Sequence, residues 1–191
     1  MGRETARVLL ESHDLKPWRE KMWCVPELAQ AYVERMEDVL ATYEKPLQAE
    51  DPVVCMDEKS VSLHEEVREP IPFQPGRETR RDGAYRRAGT ANIFCGVEPK
   101  AGVHFTEVTP RRTAHRFAEF LKGVADFYPQ VRTIHLVLDN LNTHRRKALV
   151  DRYGEADGNR LWQRFTVHYT PKHASWLNQA EIEIGLLRGN V

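Results

Sequence analysis

The sequence has 191 residues, of which 41% are hydrophobic and 29% are charged, with 28 Lys and Arg against 28 Asp and Glu. This length suits one domain of ordinary size that needs neither disulfides nor a structural metal, and the composition excludes disordered, collagen-like and membrane-embedded proteins. Three cysteines without a CxxC pair argue for a reducing cytosol and against a zinc site, and the longest apolar runs are far too short to cross a bilayer.

Two helices and a linker are predicted at the start of the chain. Residues 3–12 place alanine and leucine side chains on one side of a short helix, and a second helix has Pro26 in its first turn and must end before Pro46. Residues 45–52 have the composition of a linker and form the best domain boundary in the sequence. We therefore predict three segments, with bounds at 1–44, 45–52 and 53–191.

The residues after the linker have the pattern of an α/β domain. Short runs rich in apolar and β-branched residues predict strands, and runs with the 3.6-residue period predict helices. In chain order the pattern predicts a strand at 53–56, a long loop at 69–89, a hairpin at 91–98 and 103–108, a helix capped by Thr113 that ends near Tyr128, a strand at 133–140, a helix at 145–153, a strand at 165–170 and a last helix that begins near Ser175. This order predicts a mixed sheet with helices packed on it.

Two aspartates end the two most clearly predicted buried strands. Asp57 follows 53–56 and Asp139 follows IHLVL, at the edge of an open α/β sheet where ligands bind. Two carboxylates at this edge repel each other unless a cation lies between them, and Mg²⁺ prefers such oxygen ligands. Two ions in such a site can activate a water and stabilise the leaving oxygen of a phosphodiester. Either aspartate alone could equally form a turn or cap a helix, but the two together favour a metal site.

A third acidic ligand is expected from the last helix, where Glu181 and Glu183 are both candidates. Each flanks the apolar stripe of this helix, so helical periodicity does not choose between them. Asn178 and Glu181 also have the spacing of a capping box, which slightly favours a structural role for Glu181 on the residues alone. The choice stays open at this point.

Five motifs together resemble a known family. They occur in the order of the catalytic domain of bacterial insertion-sequence transposases of the six-thirty family, which are relatives of the mariner elements within the DDE superfamily. The motifs are VVCMDEKS, PIPFQPG, RAGTANIF, VLDNLNTH and HYTPKHASWLNQAEIEIG. The resemblance covers 53–188, and DNLNTH and TPKHASWLNQAE are its most specific parts.

The resemblance implies a ribonuclease-H-like fold: a mixed five-stranded sheet flanked by helices, preceded by a helical remnant of a helix-turn-helix domain. It assigns the metal-holding acids to Asp57, Asp139 and Glu181, and so selects Glu181 over Glu183. It also implies two Mg²⁺ or Mn²⁺ ions for nicking at the element ends and for strand transfer into target DNA, where family members typically select TA sites. Family members carry two helix-turn-helix units before the linker and continue beyond the last helix, so we expect this chain to be truncated at both ends.

Weaker candidates surround these acids. Asn140 and His144 follow the second aspartate, and His173 precedes the last helix, although amides and histidines in such places are commonly structural. Lys59 is a candidate phosphate contact, with a solvated lysine as the alternative.

A basic segment is a candidate DNA clamp. RETRRDGAYRR at 77–87 is rich in arginine, which pairs bidentately with phosphate, although a solvated basic loop is the structural alternative. The net charge of zero conceals an asymmetry, because residues 27–66 have a balance of −8 and residues 67–191 one of +7. The candidate arginines are Arg77, Arg80, Arg81, Arg86 and Arg87.

The function predicted from the sequence is metal-dependent DNA cleavage and strand transfer by a DDE transposase domain. Double-stranded DNA is the expected partner, both as the terminal inverted repeats of the element and as a TA-type target. A homodimer is a compatible assembly. No association with a membrane is expected, and the expected location is the cytoplasm, in association with the nucleoid. The alternative is a truncated, inactive transposase remnant with at most weak DNA binding. A nuclease for RNA–DNA hybrids shares the carboxylates but does not explain the last motif.

Overall fold

The computed structural model of the chain describes residues 2–12 and 29–188. Its strands form one five-stranded sheet in the order β3-β2-β1-β4-β5, which confirms the predicted sheet. A 3-10 helix at Ser175–Leu177 precedes the last α-helix. The elements are α1 (Arg3–Ser12), α2 (Gln30–Glu44), β1 (Val53–Glu66), β2 (Tyr85–Glu98), β3 (Val103–Thr109), α3 (Ala114–Phe127), β4 (Ile134–Leu138), α4 (Arg146–Tyr153), α5 (Glu155–Trp162), β5 (Phe165–Tyr169) and α6 (Gln179–Arg188).

The sheet is mixed because its two halves have different connections. β1, β2 and β3 pair antiparallel through hairpins, whereas β4 pairs parallel with both β1 and β5. Every residue of β4 is buried, as expected for a parallel strand covered on both faces. The predicted strand at 133–140 is therefore confirmed, although the observed strand is shorter, at Ile134–Leu138.

Helices cover both faces of the sheet. On one face, α3, α4 and α5 pack over a core that includes Ile134, Leu136 and Leu138. On the other face, α2 and α6 pack over a smaller core that includes Val137 and Val39. Alternate residues of β4 supply the two cores because successive side chains of a strand point to opposite faces.

A chain of polar contacts fastens α2 to the sheet. Asp38 Oδ2 lies 2.8 Å from His168 Nδ1, and His168 Nε2 lies 2.9 Å from His135 Nδ1. Lys45 Nζ donates to His135 Nε2 at 3.2 Å. One set of neutral tautomers, with each imidazole donating through Nδ1, satisfies every link of this chain. The second helix thus packs on the same sheet as the rest of the fold. Its predicted start at Pro26 lies outside the described residues. The predicted domain boundary at 45–52 stays a prediction.

β1 is much longer than the sequence predicted. The strand was expected to end at Asp57, but it continues to Glu66, and β2 begins at Tyr85 inside the predicted loop. Burial stops at Glu58 while the hydrogen bonds to β2 continue. The expectation was wrong because an apolar pattern reports burial and carries no signal for an exposed pair of strands.

The exposed part of this hairpin, residues 59–66 and 85–90, is called the outer ribbon below. The segment that joins its two strands, residues 67–84, is almost wholly exposed. Two isolated bridges, Ile71–Arg80 and Gln74–Arg77, hold this segment together. The predicted long loop is therefore shorter than expected and lies at the end of a ribbon.

One helix, α5, was not predicted from the sequence. α4 agrees with the predicted helix at 145–153, but α5 follows at once after Gly154, whose φ of 83° suits glycine. α5 packs so closely on α4 that a Cβ at Gly158 would lie 2.6 Å from Val150 Cα and 2.7 Å from the Leu149 carbonyl oxygen. EADGNRLW contains this glycine and few apolar residues, so its helical pattern is weak.

Two predicted helix starts have different outcomes. Thr113 caps α3 as expected, because its Oγ1 accepts the Arg116 N–H at 3.3 Å. The last helix was expected to begin near Ser175, but that residue opens the 3-10 helix and α6 begins at Gln179.

In the described residues, the structure contains no helix with the length and apolar character needed to cross a membrane.

Candidate active site

Asp57 and Asp139 lie side by side on neighbouring strands. The last registered pair of β1 and β4 is Cys55 with Val137, and each aspartate lies two residues farther along its strand direction. Residues at equal distances beyond a registered parallel pair occupy the same level and the same face of a sheet. Both aspartates are half-buried. The sheet thus brings the two predicted acids together, although Asp57 lies within β1 and not at its end.

Asn178 brings Glu181 to the same place. Asn178 is buried, and its Nδ2 donates to the Met56 carbonyl oxygen at 2.8 Å, which fixes the start of α6 beside Asp57. Its Oδ1 accepts a backbone N–H of the first turn of α6 at 3.2 Å. Only this half of the predicted capping box forms, because the Asn178 N–H donates to the Ser175 carbonyl oxygen and the Glu181 side chain is exposed. The three predicted acids therefore lie on the face of the sheet that α6 covers, with Asp139 and Glu181 close enough to Asp57 to affect its pKa, and the surface between them is called the crevice below.

The electrostatics of Asp57 reflect this crowding. Burial raises the pKa of Asp57 to about 6, and the carboxylates of Asp139, Glu181 and Glu58 add to the shift. The Glu58 N–H, which donates to Asp57 Oδ1 at 2.7 Å, opposes the rise in pKa. Carboxylates that share a site in this way favour a cation between them. Glu183 lies elsewhere, with its Oε2 3.3 Å from His104 Nε2.

His144 links Asp139 to Glu58. Its Nδ1 lies 2.6 Å from Asp139 Oδ1, and its Nε2 lies 3.0 Å from Glu58 Oε1. The side chain of His144 is 0% exposed and that of Glu58 is 1% exposed. Burial alone would lower the pKa of His144, but the contacts with the two carboxylates outweigh it and raise the pKa to about 9. At neutral pH His144 is therefore protonated: its Nε2 donates to Glu58, and its Nδ1 forms an ion pair with Asp139.

The two neighbouring aspartates have opposite pKa shifts. Burial would raise the pKa of Asp139, but the contacts with His144 and the Leu141 N–H outweigh burial and hold it below its ordinary value. Asp57 has no such partner, and its pKa is raised. Asp139 is thus ionised at neutral pH, whereas the raised pKa of Asp57 makes its charge more sensitive to its surroundings.

Three further groups hold the Glu58–His144–Asp139 triad in place. The ring of Phe117 stacks on the imidazole of His144 at 4.6 Å between centroids and 24° between planes. Tyr169 Oη donates to the His144 carbonyl oxygen at 2.9 Å. Arg112 Nε lies 3.7 Å from Glu58 Oε2. The triad is therefore packed and charge-compensated on the side away from the crevice.

The remaining predicted residues lie beside the crevice or far from it. Asn140 and His173 line an open groove next to Asp139. Lys59 is exposed at the base of the outer ribbon. Arg86 and Arg87 pair in register with Glu65 and His64, so seven or eight strand residues, roughly 25 Å, separate them from the level of Asp57. The other three arginines lie in the segment beyond the ribbon, and two of the five are already paired: Arg86 with Glu65 and Arg81 with Glu66.

The donor set suits a hard divalent cation. Carboxylate oxygens are the ligands that Mg²⁺ and Mn²⁺ prefer, and positive charge beside Asp57 would oppose the burial and the repulsion that raise its pKa. The acids are not closed around one point: in residues 2–12 and 29–188, no three His, Cys, Asp or Glu side chains form a ready ligand group. An open set is what a site needs when the substrate and water supply the remaining ligands.

A comparison with protein-family models identifies the domain. Residues 52–191 match the model described as DDE superfamily endonuclease. The chain belongs to this family. The predicted DDE endonuclease domain is therefore confirmed, and the matched residues include every acid of the crevice.

Solved structures of the Mos1 transposase share the fold of this DDE domain. The Mos1 paired-end complex with the left transposon end is 17% identical, with a TM-score of 0.54, and the match covers 99% of this chain and 56% of that one. The mariner Mos1 paired-end complex with Mn is 15% identical, with a TM-score of 0.53, and the match covers 100% of this chain and 57% of that one. The mariner Mos1 paired-end complex with Mg is 17% identical, with a TM-score of 0.54, and the match covers 99% of this chain and 57% of that one. The chain thus spans slightly more than half of their length, and the likeness confirms the predicted ribonuclease-H-like fold. None of the curated proteins with which it was compared matches it.

Two residues beside the crevice, Glu58 and Arg35, were not predicted from the sequence. Glu58 could have been predicted from the sequence, because strand alternation places it on the opposite face from Asp57, in the larger core. A carboxylate that is buried there needs a partner. Arg35 carries none, because its contact with Asn140 joins residues 105 positions apart.

Proposed function

We propose that this chain catalyses metal-dependent cleavage of DNA and strand transfer, as the catalytic domain of a bacterial transposase of the six-thirty type. The observation that supports the proposal is the position of Asp57 beside Asp139 on neighbouring strands, with Glu181 close enough to affect the pKa of Asp57, in a member of the DDE endonuclease family. DNA as substrate is supported by the Mos1 complex, which contains a transposon end.

The same three acids are the proposed ligands of two Mg²⁺ or Mn²⁺ ions. The Mos1 complexes with Mn and with Mg support this choice of metals. A bound divalent ion supplies a Lewis acid for the phosphate oxygens and a nucleophilic water at neutral pH. The chain itself keeps Asp139 ionised and fixes its orientation through His144, which we propose as a positioning residue. Exposure of Glu181 leaves one side of the crevice open to a DNA strand.

The outer ribbon and its connecting segment are the proposed DNA clamp. In the described part of the chain, Arg77, Arg80 and Arg87 form no ion pair with an acidic side chain. Their guanidinium groups are therefore available for phosphate, whereas Arg81 and Arg86 must first release their glutamates. Lys59, nearer to the crevice, is a further proposed phosphate contact.

The finer features of the proposal rest on the resemblance of the motifs. We propose terminal inverted repeats as the cleaved ends, TA-type sites as targets, a homodimer as the assembly and the bacterial nucleoid as the place of action. Comparing nicking of plasmids with and without the DNA that flanks the gene tests whether element ends are preferred.

Metal-dependent nicking of supercoiled plasmid tests the central proposal. We expect nicking with Mn²⁺ or Mg²⁺, none with a chelator, and a loss of at least about 100-fold in Asp139→Asn and in Glu181→Gln. Glu183→Gln is the matched control, two residues along the same helix, and should nick like the wild type. Activity that persists in chelator or in Asp139→Asn would contradict the proposal, and loss in Glu183→Gln alone would move the third ligand to that residue.

A further inference from the structure

An open groove of about 460 Å³ adjoins Asp139. The turn after β4, the segment after β5 and helix α2 form its walls, and its volume lies in the range of ordinary ligand sites. We propose that this groove binds a phosphodiester group of the DNA strand beside the crevice of Asp57, Asp139 and Glu181. The proposal rests on the function proposed above and names one contact of its substrate. The residues that carry it are Arg35, Asn140, Lys172 and His173.

Arg35 is held over the groove in a fixed orientation. Its Nη1 donates to Asn140 Oδ1 at 2.9 Å, and Asn140 Nδ2 donates to the Thr170 carbonyl oxygen at 2.5 Å. Asn140 is therefore fixed at both ends of its amide, and it fixes the guanidinium in turn. Only one of the five N–H groups of Arg35 is used in this contact, so the others remain available for the oxygens of a ligand.

The groove has positive charge that the protein does not compensate. In residues 2–12 and 29–188, neither Arg35 nor Lys172 forms an ion pair, whereas arginines elsewhere, such as Arg152 with Glu119, are paired. Asp139 is the one acidic residue of the groove wall, and it already has His144 at 2.6 Å. Two unpaired cations on a concave surface attract an anion, and the fork of an arginine matches phosphate.

His173 has a backbone conformation that is uncommon for residues other than glycine. Its φ is 66°, and it is the one residue other than glycine with positive φ in the described part of the chain. It lies in a tight turn closed by the Ala174 N–H, which donates to the Pro171 carbonyl oxygen at 3.1 Å. Such conformations are uncommon outside glycine and cluster at binding and catalytic sites. The turn places Lys172 and His173 together on the groove wall.

The shape of the groove favours a strand over a free anion. A single phosphate or carboxylate ion would fill a small part of about 460 Å³, whereas a nucleotide unit of a strand would fill much more of it. The groove shares Asp139 with the crevice, so a strand with one phosphate at Asp139 has Arg35 and Lys172 as neighbours on the same groove wall.

The salt dependence of DNA binding tests this inference. The probe is a fluorescein-labelled duplex of mixed sequence, measured by fluorescence anisotropy in chelator over a series of KCl concentrations. We expect Arg35→Gln and Lys172→Gln each to weaken binding and to lower the slope of log Kd against log [KCl] by about 1, the effect of one lost phosphate contact. Arg35→Lys keeps the charge and should keep most of the slope.

Arg160→Gln is the matched control, because Arg160 is exposed on α5, on the opposite face of the sheet. In the described residues, the side chain of Lys172 forms no hydrogen bond, so Lys172→Gln should not disturb the fold. Its effect on DNA binding therefore tests the inference even if Arg35→Gln loosens the packing of α2. Unchanged slopes in both variants, with the wild type binding DNA, would overturn the inference and leave the proposed function intact. An equal fall in Arg160→Gln would overturn it too. A wild type that neither binds nor nicks DNA would show that the proposed function itself has failed.

Discussion

His144 contacts Asp139 and Glu58 at the same time, at 2.6 Å and 3.0 Å, and so joins side chains on opposite faces of one sheet. Glu58 is buried on the face of the larger core, whereas Asp139 belongs to the face that α6 covers. A single imidazole therefore connects the hydrophobic core to the proposed metal site. Its charge cannot be removed without leaving a carboxylate buried and poorly compensated.

We predict that His144→Gln alone is more damaging than loss of the whole Glu58–His144 charged pair. Breaking a buried ion pair from one side costs about 3–5 kcal/mol, because the remaining charge stays in the core. The double variant Glu58→Gln, His144→Gln removes both charges and should lose clearly less of the free energy of unfolding. Urea denaturation at neutral pH measures both. Equal losses would show that packing against Phe117, and not charge, dominates.

We predict that Asp57→Asn stabilises the metal-free protein at neutral pH. The folded-state pKa of about 6 exceeds the unfolded value of about 4, so the folded state binds the proton more tightly and loses stability as pH rises from about 4 to about 6. Above pH 6 the variant should exceed the wild type by roughly 1–3 kcal/mol, and the difference should vanish below about pH 4. Urea denaturation in chelator over this pH range measures it. A constant difference at all pH values would contradict the assigned cause.

We predict that Mn²⁺ raises the Tm of the wild type through the three acids. A ligand that binds only the folded state stabilises it by about 2.7 kcal/mol at 100 times its Kd. Thermal unfolding with increasing Mn²⁺ should show this rise in the wild type and in Glu183→Gln, and little of it in Asp57→Asn or Glu181→Gln. A full rise in Glu181→Gln would remove that residue from the ligand set, whatever its effect on nicking.

We predict that His135 makes the fold sensitive to mild acid. Burial, and then the charge of Lys45 and the neighbouring His168, lower the pKa of His135, so the unfolded chain binds its proton more tightly. Stability should therefore fall as pH drops below about 6.5, the ordinary pKa of histidine. His135→Gln, which keeps a polar group between Lys45 and His168, should lose less stability over the same pH interval. A variant with the same pH dependence as the wild type would exclude His135 as the cause.

We predict opposite effects for alanine at two helical glycines. Gly158→Ala should destabilise the fold by roughly 1–3 kcal/mol, because its Cβ would meet the backbone of α4. Gly123→Ala in α3 should stabilise it by about 0.5–1 kcal/mol, since nothing lies within 4 Å of its added Cβ and alanine is the better helix former. Thermal denaturation of the pair measures both signs. A gain at Gly158 would mean that α5 can move away from α4 at little cost.

The sequence predicted the parts of the fold that depend on local pattern. IHLVL, the Thr113 cap and the order of strands and helices all follow from apolar periodicity and turn chemistry, and the acids at 57 and 139 follow from the strands. The outer ribbon and α5 were missed because their stability comes from pairing and packing with other segments. The acid of α6 could not be chosen from periodicity, since its position depends on the bond from Asn178 to the Met56 carbonyl oxygen, 122 residues away.

The outer ribbon has two open edges. β4 pairs with β1 only as far as Cys55, and β3 pairs with β2 only from Asn92, so the backbone N–H and C=O groups on the outer sides of the ribbon face water. Open edges of this kind invite strands from other molecules, and charged side chains such as Glu65 and Arg86 oppose such association. The charged side chains of the ribbon thus also oppose aggregation through its open edges. Neutralising them would expose a template for intermolecular sheet growth, so the solubility of this protein depends on the same surface that is proposed to meet DNA.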